Sequence, residues 1–268
     1  MNNRYIGVFD SGLGGLTVVK QLKKVLPDEN IIYFGDTGRV PYGTRSNETI
    51  IKYVKSDISF LKSFDIKAII VACGTASTVA LPQMKQDSDI PLIGVVEPTV
   101  EAAVKKSKSK RIAVLGTPGT IKSGMYEKLI RQIEPDAFVI NKACTLFVPI
   151  VENGCTDDEI AYHVCKKYLD EILKENVDTI ILGCTHYPLL TKTISKIAGP
   201  DITLINAGAE TAKYIKDYFI QNGLCADEKR NQQYMYYVSD SVDNFSCMAD
   251  LFLGEHIENI EKIDIDKY

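Results

Sequence analysis

The chain has 268 residues, 45% of them hydrophobic and 25% charged, with a formal net charge of −4. A chain of this length buries a core without disulfides or metal, and its ordinary glycine and proline content excludes collagen-like, disordered and coiled-coil classes. The mild acidic excess disfavours nucleic acid, which rewards clustered Lys and Arg, so no nucleic-acid partner is expected.

Met1-Asn2-Asn3-Arg4 leads straight into the apolar run Tyr5–Phe9, with no secretory signal pattern. That run opens a series of short β-branched segments, each followed by a helical pattern. Strands are predicted at Tyr5–Phe9, Asn30–Phe34, Ala68–Ala72, Pro91–Val96, Arg111–Leu115, Ala137–Ile140, Thr179–Leu182 and Thr203–Ile205. Leu, Ile and Val at three- and four-residue spacing predict helices over Leu16–Val25, Glu48–Ser63, Thr120–Ile133, Asp158–Leu173 and Glu210–Ile220. The longest uncharged stretch, Ala68 to Met84, contains Gly74 and Pro82 and reads as strand, turn and helix, so no membrane partner is expected. The basic cluster Lys105–Arg111 precedes an apolar run and reads as a solvated helix end or loop. Strands alternating with helices predict an α/β protein with mostly parallel sheets, whose functional groups gather beyond the carboxyl ends of strands.

A weak internal repeat runs through this pattern. The segments starting at Ile6, Lys67 and Ile93 resemble those starting at Ile112, Asp178 and Ile205, offsets of 106, 111 and 112 residues. Ordered matches at nearly one offset predict two similar three-layer α/β domains of about a hundred residues each. We expect residues 1–97 plus 207–268 to form the first, discontinuous domain and residues 98–206 the second. Tyr234–Val238 is expected to add an edge strand to the first.

Three constellations lie at predicted strand ends. Asp10-Ser11-Gly12-Leu13-Gly14-Gly15-Leu16-Thr17 tempts a dinucleotide reading, with Asp36 after the next strand, but Thr17 stands where a third small residue is needed. A tight turn capping a helix, or an anion-binding turn of backbone N–H groups, fits better. Asp36 to Ser46 is a Gly- and Pro-punctuated loop in which Tyr42, Arg39 and Arg45 crowd together, as ligand-binding loops on a rigid sheet edge do.

The third constellation is a pair of cysteine turns, Ala72-Cys73-Gly74-Thr75-Ala76-Ser77 and Gly183-Cys184-Thr185-His186-Tyr187-Pro188. Seven Cys is an odd number, too sparse for a disulfide framework, and the thiols are expected to be reduced in the cytoplasm. A helix N-terminus after each strand would favour thiolate. Equivalent positions in two repeats put two thiols into one cleft if the domains face each other. Opposed thiols suit a redox pair, a metal site of Cys73, Cys184 and His186, or proton removal from one face of a carbon with delivery to the other. Cys144, Cys155, Cys165, Cys225 and Cys247 carry no such signal, and Glu152 reads as an acid ending an apolar run.

With Leu115-Gly116-Thr117-Pro118-Gly119-Thr120 and Val148-Pro149-Ile150-Val151-Glu152-Asn153-Gly154, these motifs make the sequence similar, over nearly its whole length, to the cofactor-independent glutamate racemases of bacterial cell-wall synthesis. The related aspartate racemases differ in the first turn and the second cysteine motif. The resemblance implies pseudo-twofold domains with the active site between them, interconversion of L- and D-glutamate for peptidoglycan, no cofactor, no metal and a homodimer. It implies that Cys73 and Cys184 are the acid/base residues, that Asp10 assists Cys73, and that Glu152 and His186 assist Cys184. Asp10, Ser11, Pro41, Tyr42, Gly43, Gly74, Thr75, Thr117, Thr185 and His186 should then line the substrate site, with Thr120 a further candidate. One departure stands out: the family usually has Asn where this chain has Gly74. A racemase for another acidic amino acid and a non-catalytic amino-acid-binding module are the alternatives.

Overall fold

The computed structural model describes residues 2–226 and 232–268. Among the described residues ten strands form two sheets. They are β1 (Tyr5–Asp10), β2 (Ile31–Gly35), β3 (Ile66–Val71), β4 (Leu92–Gly94), β5 (Arg111–Gly116), β6 (Phe138–Ala143), β7 (Thr179–Leu182), β8 (Thr203–Asn206), β9 (Tyr234–Val238) and β10 (Ile260–Lys262). One sheet has the order β10-β9-β2-β1-β3-β4 and the other β6-β5-β7-β8, and every pairing is parallel. The order β2-β1-β3-β4 thus recurs as β6-β5-β7-β8. The three sequence matches fall on equivalent strands, β1 with β5, β3 with β7 and β4 with β8. The expected α/β architecture of two similar parallel-sheet units is borne out.

Parallel sheets need crossover helices, which cover both faces and explain why the strands read as unbroken apolar runs. The helices are α1 (Leu16–Val25), α2 (Asn47–Lys62), α3 (Gly74–Val79), α4 (Leu81–Met84), α5 (Val96–Lys106), α6 (Pro118–Lys122), α7 (Met125–Ile133), α8 (Phe147–Glu152), α9 (Glu159–Leu173), α10 (Thr191–Ala198), α11 (Ala207–Asn222) and α12 (Val242–Leu253). Successive residues of the larger sheet point to opposite faces. Ile6, Val8, Ile31 and Tyr33 pack with Leu16, Val19 and Leu22 of α1, whereas Phe9, Ile32 and Phe34 pack with Ile50, Val54 and Leu61 of α2. Helix α11 follows β8 in the smaller sheet but packs on α1 beneath the larger one, carrying the chain back. The return is pinned by a buried ion pair, Lys67 with Glu29; Lys67 Nζ also donates to the Leu224 carbonyl at 2.8 Å, and Ala226 N–H donates to Glu29 at 2.9 Å. No helix among the described residues is long and apolar enough to cross a membrane.

Several expectations need correction. The predicted helix Thr120–Ile133 is two helices, because Gly124 adopts φ +64° and breaks the run between α6 and α7. The strand expected to reach Val96 stops at Gly94, and Val96 already opens α5. Tyr234–Val238 is not an edge: β10 pairs beyond it. Ile260-Glu261-Lys262 is short and charged, as sheet edges are, and carries no apolar signal.

Candidate active site

A cavity of about 370 Å³ opens between the carboxyl ends of the two sheets. The turns after β1, β2 and β3 supply one wall, and those after β5, β6 and β7 the other. Ser11, Pro41, Tyr42, Gly43, Cys73, Gly74, Thr75, Thr117, Thr120, Glu152, Cys184, Thr185 and His186 all line it. Asp10 is brought close but is not part of the wall. Its buried carboxylate accepts from the Gly12 N–H at 3.0 Å and from Thr185 Oγ1 at 3.4 Å, so it underlies the site. Cys144, which sequence reasoning set aside as a packing residue, also faces the cavity. Its only local signal was its place at the end of β6.

Local sequence explains how the groups are held. Cys73 is the N-cap of α3, its sulfur accepting the Ala76 N–H at 3.5 Å, and Thr117 caps α6 through the Thr120 N–H at 3.3 Å. Hydroxyls bridge the two walls. Thr75 Oγ1 lies 2.9 Å from Thr117 Oγ1 and 3.3 Å from Thr120 Oγ1, and Thr17 Oγ1 donates to the Thr185 carbonyl at 2.9 Å. Among the described residues neither lysine nor arginine lines the cavity.

The two thiols differ in surroundings. Burial pushes the Cys73 thiol up to about 12, and the neighbouring Asp10 carboxylate adds to the shift. Its S–H donates to Ser11 Oγ at 3.6 Å. A helix N-terminus was expected to favour thiolate here; desolvation and a nearby carboxylate outweigh that capping N–H. Cys184 instead lies 3.9 Å from Nδ1 of His186, whose Nε2 lies 3.0 Å from Glu152 Oε1. Burial opposes a charge on His186, but its hydrogen bonds to Cys184 and Glu152 win and hold the imidazole up at about 10. Its ring packs edge-on against Phe252, with centroids 5.2 Å apart. Cys73 is thus presented as a thiol, and Cys184 sits beside a cation anchored by Glu152.

The histidine shift carries a stability consequence. Between its ordinary value of 6.5 and about 10, the native protein keeps a proton that the unfolded chain releases. The stabilisation is therefore complete below pH 6.5 and is lost as pH rises towards 10, with a slope of at most about 1.4 kcal/mol per pH unit. Urea midpoints measured across that range should fall more steeply for the native sequence than for His186→Asn. The raised thiols Cys73, Cys144 and Cys165 contribute with the same sign in both proteins, so the difference reads the imidazole together with the Cys184 sulfur it bonds. Parallel curves would refute the assignment.

Residues 8–215 match the family model described as Asp/Glu/Hydantoin racemase. The chain is 42% identical over 261 residues to a glutamate racemase of Geobacter metallireducens, covering 97% of each chain. It superposes on glutamate racemase isoform RacE1 from Bacillus anthracis with a TM-score of 0.95 and 39% identity, covering 98% of each chain. It superposes on a glutamate racemase from Francisella tularensis, solved in complex with D-glutamate, with a TM-score of 0.93 and 37% identity, covering 100% of each chain.

Proposed function

The chain belongs to the Asp/Glu/hydantoin racemase family, among its glutamate racemases, and from that premise we propose that it interconverts L- and D-glutamate by a two-thiol proton transfer, supplying D-glutamate for peptidoglycan. The observation that carries the reading is the presentation of Cys73 and Cys184 to one cavity from equivalent strand ends of the two sheets. One thiolate removes the α-proton; the opposite thiol protonates the other face, inverting the centre. Cys73, held as a thiol, is the acid for one direction, and Cys184, beside the His186–Glu152 pair, is its partner on the opposite face. After one inversion the protons are exchanged between the sulfurs.

The α-proton of an amino acid is a very weak acid, so negative charge developing on the substrate must meet fixed donors in a site from which water is excluded. No Lys or Arg faces the cavity among the described residues, so the substrate carboxylates meet neutral donors and the single charged imidazole of His186. We assign Ser11, Thr75, Thr117 and Thr185 hydroxyls and the backbone N–H groups around Tyr42, Gly43 and Gly74 to that role, with Pro41 shaping the wall. Asp10 acts from beneath, on Cys73 and Thr185.

We assign residues 1–97 with 207–268 to one domain and 98–206 to the other, because α11 leaves the smaller sheet and packs on α1. We further propose a cytoplasmic homodimer, as the family resemblance implies; sedimentation equilibrium tests the assembly.

Incubation with L-glutamate in D₂O, without pyridoxal phosphate, should give α-deuterated glutamate and loss of optical rotation, with glutamate turned over in preference to aspartate. Tight binding with no exchange would make the protein a binding module instead.

A further inference from the structure

Gly74 and Gly183 are the chain neighbours of the two thiols, one following Cys73 and the other preceding Cys184. They meet across the cleft. A Cβ built on Gly74 would stand 2.5 Å from the carbonyl oxygen of Gly183, closer than side-chain carbons approach backbone. The space that a side chain at position 74 would fill is therefore occupied by the peptide of the opposite wall.

Both backbones are tied into their own domains. The Gly183 N–H donates to the Leu115 carbonyl at 2.8 Å, tying the start of this turn to β5. On the other side the Ala72 N–H donates to the Phe9 carbonyl and the Cys73 carbonyl accepts the Ser77 N–H, both at 2.9 Å. In this chain a Cβ at position 74 therefore presses wall against wall, across the Thr75–Thr117 and Thr17–Thr185 bridges.

We propose that Gly74 is a positioning residue: its missing Cβ lets the Gly183 carbonyl seat against it, and this contact sets the separation of Cys73 and Cys184. The proposal rests on the two-thiol reading above. A side chain at position 74 acts as a wedge one residue away from each sulfur. The rival view is that Gly74 only lacks a substrate-binding side chain, so that adding one with hydrogen-bonding groups improves the site.

The two views differ in what a wedge does to proton transfer. With the thiols correctly spaced, a carbanion formed by one sulfur is within reach of the other and is quenched with inversion. With the walls apart, the C–H bond still breaks to the nearer sulfur. That S–H exchanges with D₂O, and the same sulfur returns deuterium to the same face. Exchange is then uncoupled from inversion.

The experiment compares the native protein with Gly74→Ala and Gly74→Asn in D₂O, reading early-time deuterium in each glutamate enantiomer together with kcat, KM and thermal unfolding. We expect kcat for inversion to fall about 10- to 100-fold in both variants, because ångström-scale misplacement costs that much. We also expect the ratio of exchange with retention to exchange with inversion to rise several-fold, and the unfolding midpoint to change little. Unchanged kinetics in Gly74→Ala, or a lower KM with undiminished kcat in Gly74→Asn, would overturn the proposal. So would loss of the folded state in both, which would make Gly74 a packing residue. A native protein that neither exchanges nor inverts glutamate would instead refute the reading of function.

Discussion

Cys73→Ala and Cys184→Ala should each lower the rate of glutamate inversion by roughly 10²–10⁴-fold, in both directions. The loss is bidirectional because each direction uses both sulfurs, one as base and the other as acid. It is not complete loss of chemistry. The sulfur that remains can still remove and return a proton on its own face, so each variant should retain slow α-deuteration of one enantiomer in D₂O, and the two variants should retain opposite enantiomers. A structural role for either cysteine predicts no such mirror-image pattern. Cys144 also faces the cavity, but its sulfur lies 3.7 Å from the Lys142 carbonyl, at the end of β6, with no histidine within hydrogen-bonding distance among the described residues. Inversion at the native rate in either single variant would end the two-thiol mechanism.

The parts of this molecule that its sequence discloses are those set by short-range physics. Buried parallel strands read as apolar runs because crossover helices cover both faces, so Ile66–Val71 and Thr179–Leu182 are visible as strands and as copies of one another. Motif-bearing turns such as Cys73–Ser77 lie at strand ends for the same topological reason. What stays hidden depends on partners far away in the chain. Nothing local to Cys73 indicates that Asp10 lies close enough to raise its thiol. Nothing local to Gly74 indicates that a carbonyl more than a hundred residues later fills its side-chain space. Helix α12 escapes notice although Ser241 caps it through the Asn244 N–H, because its apolar residues read as a tail until Phe245, Ala249 and Phe252 are seen packed in the core.

The Asp36–Arg39–Tyr42–Asp57 cluster is another arrangement of that kind, and it carries the largest expected stability effect. Arg39 Nε donates to Asp36 at 2.7 Å and its Nη2 to Asp57 at 2.9 Å, and both carboxyl groups are fully buried. The Tyr42 hydroxyl touches both, at 2.9 Å from Asp57 and closely against Asp36. A hydroxyl has one proton, so it can donate to only one carboxylate; the other must be protonated and donate to it. Burial and the charge of Asp36 raise Asp57 well above the usual carboxylate range, which places the extra proton there. The carboxyl pair then carries one negative charge, faced by Arg39, and Asp36 also accepts from the Ser239 hydroxyl at 2.8 Å. Removing the guanidinium strands that charge without its counter-charge. Arg39→Ala should therefore cost about 3–5 kcal/mol of unfolding free energy, far more than an exposed ion pair. Because Tyr42 and Gly43 line the cavity, the same change should raise KM for glutamate. Adding Asp36→Asn removes the stranded charge, so the double variant should recover part of the stability that Arg39→Ala loses. Urea unfolding of the two variants tests the argument. A double variant no more stable than Arg39→Ala would mean that the loss comes from the packing of the guanidinium over Tyr53, 4.4 Å from its ring centre, rather than from the buried charge.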